Sequence, residues 1–416
     1  MFHSVVAKNT FYQTLAKSIT AFLGFAITVI IARSFGVVGY GDFTKATAFV
    51  ALFYLFVDLG LNAIYLQVEN DKYENFKKIF YLRVVIALFV LVASNGIAYF
   101  LPFNNLTGLG FSPLVRMGIF IYSFSILSQS IINSTGGLFQ KRLNYFPYFL
   151  STVSGSLFNF LLITVLVYFK MPLLFILFSY AFSSFITAGL SLCYVRNKVF
   201  PVDFDFKFSK KIIVAAFPIG LMLIFNLIYF RADMFLLSVL RPTRDVGIYG
   251  LSYKFFDFIL SLPLFLSNSL YPFLLSNKND TKKFFNITSH YFLIFLGFSF
   301  FVVVPFWFLS PLLSLIKSDY LPAIVPFRIL LLSVPLFFLT SFLQWILIAL
   351  KEQKFLAWVY GVSTILNILL NLIFIPQYSY FASAVITGLS EGGVFVLLAF
   401  KVFSIKIFLE KERENE

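Results

Sequence analysis

Cysteine, histidine and charge are all scarce in this sequence of 416 residues. It has one cysteine and two histidines, and only 12% of its residues are charged. A single cysteine allows no intrachain disulfide, and two histidines argue against a histidine-based metal site. We therefore expect no metal and no cofactor. An average soluble domain has roughly 25% charged residues, so the composition excludes that class.

Long polar gaps are also missing, which leaves no room for a folded soluble domain. Hydrophobic residues make up 60% of the chain, and a membrane-spanning helix needs about 20 apolar residues. Twelve stretches qualify: 11–32, 46–67, 80–101, 114–138, 148–169, 173–195, 212–240, 247–275, 288–316, 326–350, 355–375 and 380–405. The sequence predicts an all-α polytopic membrane protein with about twelve transmembrane helices and no cleaved signal peptide.

The net charge is +14, which in a soluble protein would suggest nucleic acid. Here the cations lie in short connections between apolar runs, so they are topology signals and we expect no nucleic-acid partner. Alternate connections carry most of them, around 72–83, 141–142, 196–211, 278–283 and 351–354. This asymmetry predicts that both termini are cytoplasmic.

A short motif occurs twice, at 36–45 and at 245–254. Val37, Tyr40, Gly41 and Lys45 each recur 209 residues later, and both copies lie between long apolar runs. The repeat predicts a duplicated membrane domain. We expect a six-helix lobe over 1–200 and a second over 201–416, joined by the polar linker 196–211.

Nine ionisable side chains are predicted inside the spans. A charge near the bilayer centre costs about 2.5 to 3.5 kcal/mol, so such residues tend to face a cavity or a partner. Arg231 and Asp233 are two residues apart and cannot share a helix face. Lys254 and Asp257 are three residues apart and can interact within their own helix. The nine are Lys45, Asp58, Arg116, Arg231, Asp233, Lys254, Asp257, Arg328 and Glu391.

Two of the acids, Asp58 and Glu391, are each followed closely by glycine. Glycine permits close helix approach or a bend, so each acid is either a hydrogen-bonded packing residue or a carrier of a proton or Na⁺. Asn367 and Asn371 lie four apart on one face of the eleventh span. Interhelical hydrogen bonding is the favoured interpretation there, with sugar contact as the second.

Several segments, taken in order, resemble bacterial polysaccharide (O-antigen) flippases of the Wzx type. These proteins belong to the multidrug/oligosaccharidyl-lipid/polysaccharide exporter superfamily. The resemblance covers nearly the whole chain. It rests on 31–41, 57–61, 137–143, 231–233, 246–250, 349–351, 367–376 and 390–391.

The resemblance implies two six-helix bundles that face each other across a central cavity, as in exporters of the MATE type. It implies alternating-access transport of an undecaprenyl-pyrophosphate-linked oligosaccharide across the bacterial inner membrane. The implied partners are that lipid-linked oligosaccharide, membrane lipids and the polysaccharide polymerase machinery.

A pyrophosphate crossing a low-dielectric region needs fixed cations, and Arg231 is the first candidate because its guanidinium fork suits phosphate. The other cationic candidates are Lys45, Lys254, Arg116 and Arg328, and we expect Asn367 and Asn371 to contact sugar if they bind substrate at all. The chain lacks an ATP-binding motif, so we expect a H⁺ or Na⁺ gradient to drive transport. The coupling candidates are Asp58, Glu391 and Asp233.

Two alternatives remain open. A multidrug exporter of the same superfamily should favour acids in its cavity, whereas five of the nine candidates are basic. A membrane oligosaccharide polymerase or ligase, which is an enzyme, should carry paired catalytic residues in a large outer loop. No connection in this sequence is long enough for such a loop, so we expect a transporter and not an enzyme.

Overall fold

The computed structural model describes residues 2–67, 73–201, 204–277 and 280–414. Lys72 and Lys278, which belong to the predicted inner connections, lie outside these ranges. The helices are α1 (Phe2–Asp58), α2 (Leu61–Gln67), α3 (Glu74–Phe100), α4 (Pro113–Ser123), α5 (Ser125–Lys141), α6 (Phe146–Tyr168), α7 (Leu173–Cys193), α8 (Arg196–Val199), α9 (Phe206–Leu240), α10 (Thr243–Asn277), α11 (Thr281–Leu309), α12 (Leu313–Ile316), α13 (Ile324–Ala349) and α14 (Gln353–Glu414).

The helices confirm the predicted all-α membrane fold. In the described part of the chain, nine helical segments are long and apolar enough to cross a membrane. Two of them hold two predicted spans each, because α1 turns at Gly36 (φ 67°) and α14 turns at Ser379 (φ 53°). All twelve apolar stretches of the sequence lie on helices.

Many large apolar side chains lie on the outside of the helices. On α3, Phe89 is 74% exposed and Val92 is 69% exposed, whereas Ala87 and Val90 are buried. A soluble protein rarely exposes apolar surface continuously along a helix. Exposure of this kind is what lipid-facing helices require.

A two-stranded hairpin connects α3 and α4. Strand β1 (Phe103–Asn104) pairs antiparallel with β2 (Leu109–Gly110). Gly110 has φ 83°, and a Cβ at this position would overlap the carbonyl of Pro102. After the hairpin, Ser112 caps α4 by accepting a hydrogen bond from the Val115 amide at 3.2 Å, with Pro113 as the first helical residue.

Contacts between Cα atoms divide the chain into two units. Unit 1 contains 1–231 and 241–247, and unit 2 contains 232–240 and 248–416. The helix α9 therefore contributes residues to both. The two six-helix lobes predicted at 1–200 and 201–416 remain a prediction.

The first copy of the repeated motif packs against residues 243–247, at the start of the second copy, inside unit 1. A Cβ on Gly41 would overlap the carbonyl of Thr243, and a Cβ on Gly247 would overlap the carbonyl of Val37. The backbones therefore approach too closely for any residue larger than glycine at these two positions. Close backbone packing thus explains these two glycines.

Candidate functional site

The ionisable candidates fall into several separate clusters, each within one unit. Within the described ranges, no group of three or more His, Cys, Asp or Glu residues has a geometry that could hold a metal ion. The polar chemistry of the interior is therefore that of ion pairs, amides and hydroxyls.

In unit 1, Asp58 forms a buried ion pair with Arg83 of α3. The Arg83 Nη2 atom lies 2.8 Å from Asp58 Oδ1, and the side chains are 0% and 20% exposed respectively. The same Nη2 donates to Asn62 Oδ1 at 3.1 Å, and Nη1 donates to Ser134 Oγ at 2.9 Å. These three acceptors compensate the guanidinium for part of its loss of water, although its Nε is buried without a hydrogen-bond partner in the described part of the chain.

In the sequence, Arg83 falls at the start of the predicted span 80–101 and also among the cations around 72–83, and its burial favours the first of these two assignments. It lies in the membrane-spanning helix α3 and is completely buried. Lys77 and Lys78, only one or two turns earlier, made it look like part of a polar loop. The signal that could have identified it is Asp58, because an acid in a span needs a partner.

The Asp58 carboxylate lies where the helix is interrupted between α1 and α2, which we call the helix break. Leu59 (φ 44°) and Gly60 (φ 76°) end α1 in the left-handed region, and α2 begins at Leu61. A Cβ on Gly60 would lie 2.9 Å from the amide nitrogen of Gly220, and a Cβ on Gly220 would lie 2.7 Å from the Leu59 carbonyl. The helix break is thus packed directly against the backbone of α9.

Lys45 and Arg116 both hold the hairpin in unit 1. Lys45 is completely buried, and its ammonium donates to the Gly110 carbonyl at 2.6 Å. Arg116 Nε donates to the Phe111 carbonyl at 3.1 Å, and its Nη2 donates to the Leu101 carbonyl at 2.5 Å. Because the ammonium is completely buried, a phosphate contact by Lys45 would require the residues around it to move. The predicted substrate roles of both residues remain predictions.

Asp42 and Asp245 act electrostatically on the buried Lys45 ammonium. Asp245 also accepts from Arg241 Nε at 3.1 Å. Lys45 is therefore embedded in a charged cluster, whereas Lys254, its counterpart in the repeat, is exposed. The two lysines are equivalent in sequence but not in environment.

In unit 2, Arg328 lies beside the helix end at Ser310. Its Nε donates to Ser310 Oγ at 2.8 Å, and its guanidinium carbon lies 5.1 Å from the Trp307 ring centroid. The cation–π contact and the hydroxyl together position the guanidinium.

Asp233 of α9 is the first of two buried acids in unit 2. It is 3% exposed. Its Oδ2 accepts from the Tyr249 hydroxyl at 2.5 Å and from Thr387 Oγ1 at 3.3 Å. These bonds connect α9, α10 and the second arm of α14. The sequence indicated an acid that needs a partner elsewhere, and the structure supplies hydroxyl partners from two other helices.

Glu391 is the second buried acid, with 1% exposure. It accepts a short hydrogen bond from Thr340 of α13. Next to it, Ser390 Oγ accepts from Asn367 Nδ2 at 3.1 Å, so the interhelical hydrogen bond predicted for Asn367 is present. Asn371 Nδ2 donates to Asn367 Oδ1 at 3.0 Å, and its own Oδ1 is buried without a hydrogen-bond partner in the described part of unit 2.

Three further candidates complete the set. Arg231 is half-buried on α9, Lys254 is exposed on α10 and Asp257 is half-buried one turn later. Arg231 and Asp233 are separated by about 200° around the helix, so they point in different directions as expected.

Comparisons with known proteins agree with this architecture. Residues 6–278 match the family model described as polysaccharide biosynthesis protein, and residues 218–373 match the model described as MatE. No curated protein matches the chain in sequence.

Solved structures share the fold at low sequence identity. A lipid II flippase, MurJ, in an inward closed conformation has a TM-score of 0.77 and 17% identity, over 94% of this chain and 87% of that one. An inward-facing MATE-family multidrug resistance transporter of the MOP superfamily has a TM-score of 0.70 and 12% identity, over 94% and 98%. A MOP superfamily transporter from Pyrococcus furiosus has a TM-score of 0.64 and 12% identity, over 97% and 96%.

Proposed function

Because this chain belongs to the polysaccharide biosynthesis protein family, a multi-pass membrane family of the MOP superfamily fold, we propose that it is a Wzx-type flippase. Its substrate in this proposal is an undecaprenyl-pyrophosphate-linked oligosaccharide, such as an O-antigen repeat unit. The family match over more than half of the chain carries the proposal. The similarity of the fold to that of a lipid II flippase supports it.

The chemistry of the chain fits a pyrophosphate. A phosphate needs donors that stay charged, and an arginine binds it with two parallel bonds. Arg231 is the candidate that combines partial burial with a position deep in a long apolar helix. Lys254 supplies a second, exposed cation one helix later. Asn367 and Asn371 already bond within unit 2, so we assign sugar contact to them only after rearrangement.

A multidrug exporter is the second candidate function, and the MatE match over 218–373 favours it. The two can be separated in proteoliposomes. The flippase proposal expects transfer of a fluorescent lipid-linked oligosaccharide between leaflets and no accumulation of organic cations. Uptake of ethidium with no effect on the lipid would establish the exporter instead.

We propose further that both termini and the predicted connections that contain residues 75, 143, 205 and 280 lie on the cytoplasmic side of the inner membrane. Single cysteines at Asn75, Leu143, Asp205 and Asp280, introduced after Cys193→Ser, should react with an impermeant maleimide only after the membrane is opened. The reason is the cation bias of these connections. A cysteine at Asn105, in the hairpin, is the control and should react in intact spheroplasts. Labelling of two of the four positions in intact spheroplasts would contradict the topology.

We also propose that an ion gradient drives transport through a buried acid. An imposed proton or Na⁺ gradient should accelerate flipping in proteoliposomes, and replacement of the carrier by its amide should remove that acceleration. Asp58→Asn, Glu391→Gln and Asp233→Asn test the three candidates, with Asp319→Asn, outside the buried clusters, as the control. If no gradient alters flipping by the unaltered protein, the coupling proposal is wrong and consumption of the product must drive transport.

A further inference from the structure

The segment between α7 and α9 has two different faces. Val195 and Val199 are each 1% exposed and pack into the apolar cluster of α2, α3 and α5 in unit 1. In contrast, Phe200, Phe204 and Phe206 are 58%, 46% and 74% exposed. The sequence predicted a polar linker here, whereas the structure shows an amphipathic surface segment.

Cations flank the exposed phenylalanines on both sides in the sequence. We define the linker face as Arg196, Lys198, Phe200, Phe204, Phe206 and Lys207. Arg196 and Lys207 are exposed, and Lys198 is half-buried. The face therefore offers three aromatic rings and three positive charges within twelve residues of sequence.

The segment is fixed to unit 1 at both ends. The Lys198 ammonium lies 4.7 Å from the centroid of the Tyr73 ring. Lys78 Nζ lies 3.3 Å from Asp205 Oδ2 and 5.4 Å from the ring centroid of Phe208. The Phe208 amide and the Lys78 ammonium hold the pKa of Asp205 below its ordinary value, so this carboxylate keeps its charge at neutral pH. The linker face is thus a positioned surface.

The position of the segment places it beside a bilayer surface. The spanning helix α7 ends at Cys193, and α9 begins at Phe206 and continues into the next apolar span. Both ends of a connection this short must lie near the same membrane surface. A segment that stood in water would leave three phenylalanines exposed at a net cost.

We propose that the linker face docks on the headgroups of anionic phospholipids in the adjoining leaflet. The phenylalanines lie at the boundary between headgroups and acyl chains, and the cations contact lipid phosphates. Aromatic rings at this depth and lysines or arginines beside them are the two components of an interfacial anchor. This inference is independent of the transported substrate.

Electron paramagnetic resonance in nanodiscs tests the proposal with the full chain. A nitroxide is attached at Phe206→Cys after Cys193→Ser, and the reference label is attached at Asn105→Cys in the hairpin. In discs that contain phosphatidylglycerol, we expect the Phe206 label to collide several-fold less with a water-soluble nickel complex, and more with oxygen, than the Asn105 label. Equal nickel access at the two positions would falsify the proposal.

The charge component has its own test. The double variant Arg196→Gln with Lys207→Gln should need a higher fraction of phosphatidylglycerol before the label at residue 206 is half-maximally shielded from the nickel complex. We expect this fraction to rise by up to about fivefold for each cation removed. Lys170→Gln with Lys317→Gln removes two exposed lysines from other connections and should leave that fraction unchanged. Identical shielding in phosphatidylcholine alone, with no effect of the first double variant, would show that anionic lipid is not the partner. Shielding confined to discs with two copies of the chain would assign the face to self-association and overturn the proposal.

Discussion

Arg231→Ala is expected to abolish surface polysaccharide in a complementation assay while the protein stays in the membrane at its normal level. In the proposed function the guanidinium holds the pyrophosphate, and loss of one partner of a buried charge pair costs about 2 to 5 kcal/mol. That loss corresponds to a factor of at least about 30 in binding. Arg231 is half-buried on α9, so its side chain can contact a phosphate while its backbone stays helical.

Two variants distinguish the phosphate contact from a loss of fold. Arg231→Lys keeps the charge but loses the two-pronged geometry, so we expect intermediate export. Arg244→Ala removes an exposed arginine from the first turn of α10 and should leave export unchanged. Full complementation by Arg231→Ala would show that the pyrophosphate is bound elsewhere, and Lys254→Ala would be the next variant to measure.

Span positions could be predicted because hydropathy averages over about 20 residues and a bilayer enforces that length. The predicted stretch 148–169 corresponds to Phe146–Tyr168, and 326–350 corresponds to Ile324–Ala349. The same averaging hides single residues. Arg83 lies inside the predicted span 80–101 and is fully buried, but the nearby Lys77 and Lys78 caused it to be grouped with the cations of a connection.

The hydrogen-bond partners of buried side chains were harder to predict than the positions of the spans. Lys45 was expected to be buried in a span, and it is, but its acceptor is the backbone carbonyl of Gly110. A carbonyl has no signature in sequence, and the hairpin that presents it has only two residues in each strand. In contrast, Asn367 pairs with the Ser390 side chain as an interhelical hydrogen bond, because an amide in an apolar helix has few other options.

Arg83→Ala is expected to destabilise unit 1 strongly. The substitution leaves the Asp58 carboxylate in the interior without its cation, and removal of one member of a buried ion pair costs about 3 to 5 kcal/mol. Asp58 is 20% exposed, so we expect the lower end of that range. The measurement is the midpoint of thermal unfolding in detergent, followed by the loss of helical circular dichroism.

The double variant Asp58→Asn with Arg83→Met separates structure from coupling. It removes both charges and keeps similar volumes, so it should recover much of the stability lost in Arg83→Ala. If the Asp58–Arg83 pair only stabilises the helix break at Leu59 and Gly60, the double variant should retain gradient-accelerated flipping. If Asp58 carries the coupling ion, the double variant should be stable yet insensitive to the gradient, because no ionisable acid remains at that position. Lys401→Met with Glu352→Gln removes a more exposed ion pair, in unit 2, and should change the midpoint far less, since such pairs contribute about 0 to 1 kcal/mol. A midpoint for Arg83→Ala equal to that of the unaltered protein would show that the buried pair is not needed for the fold.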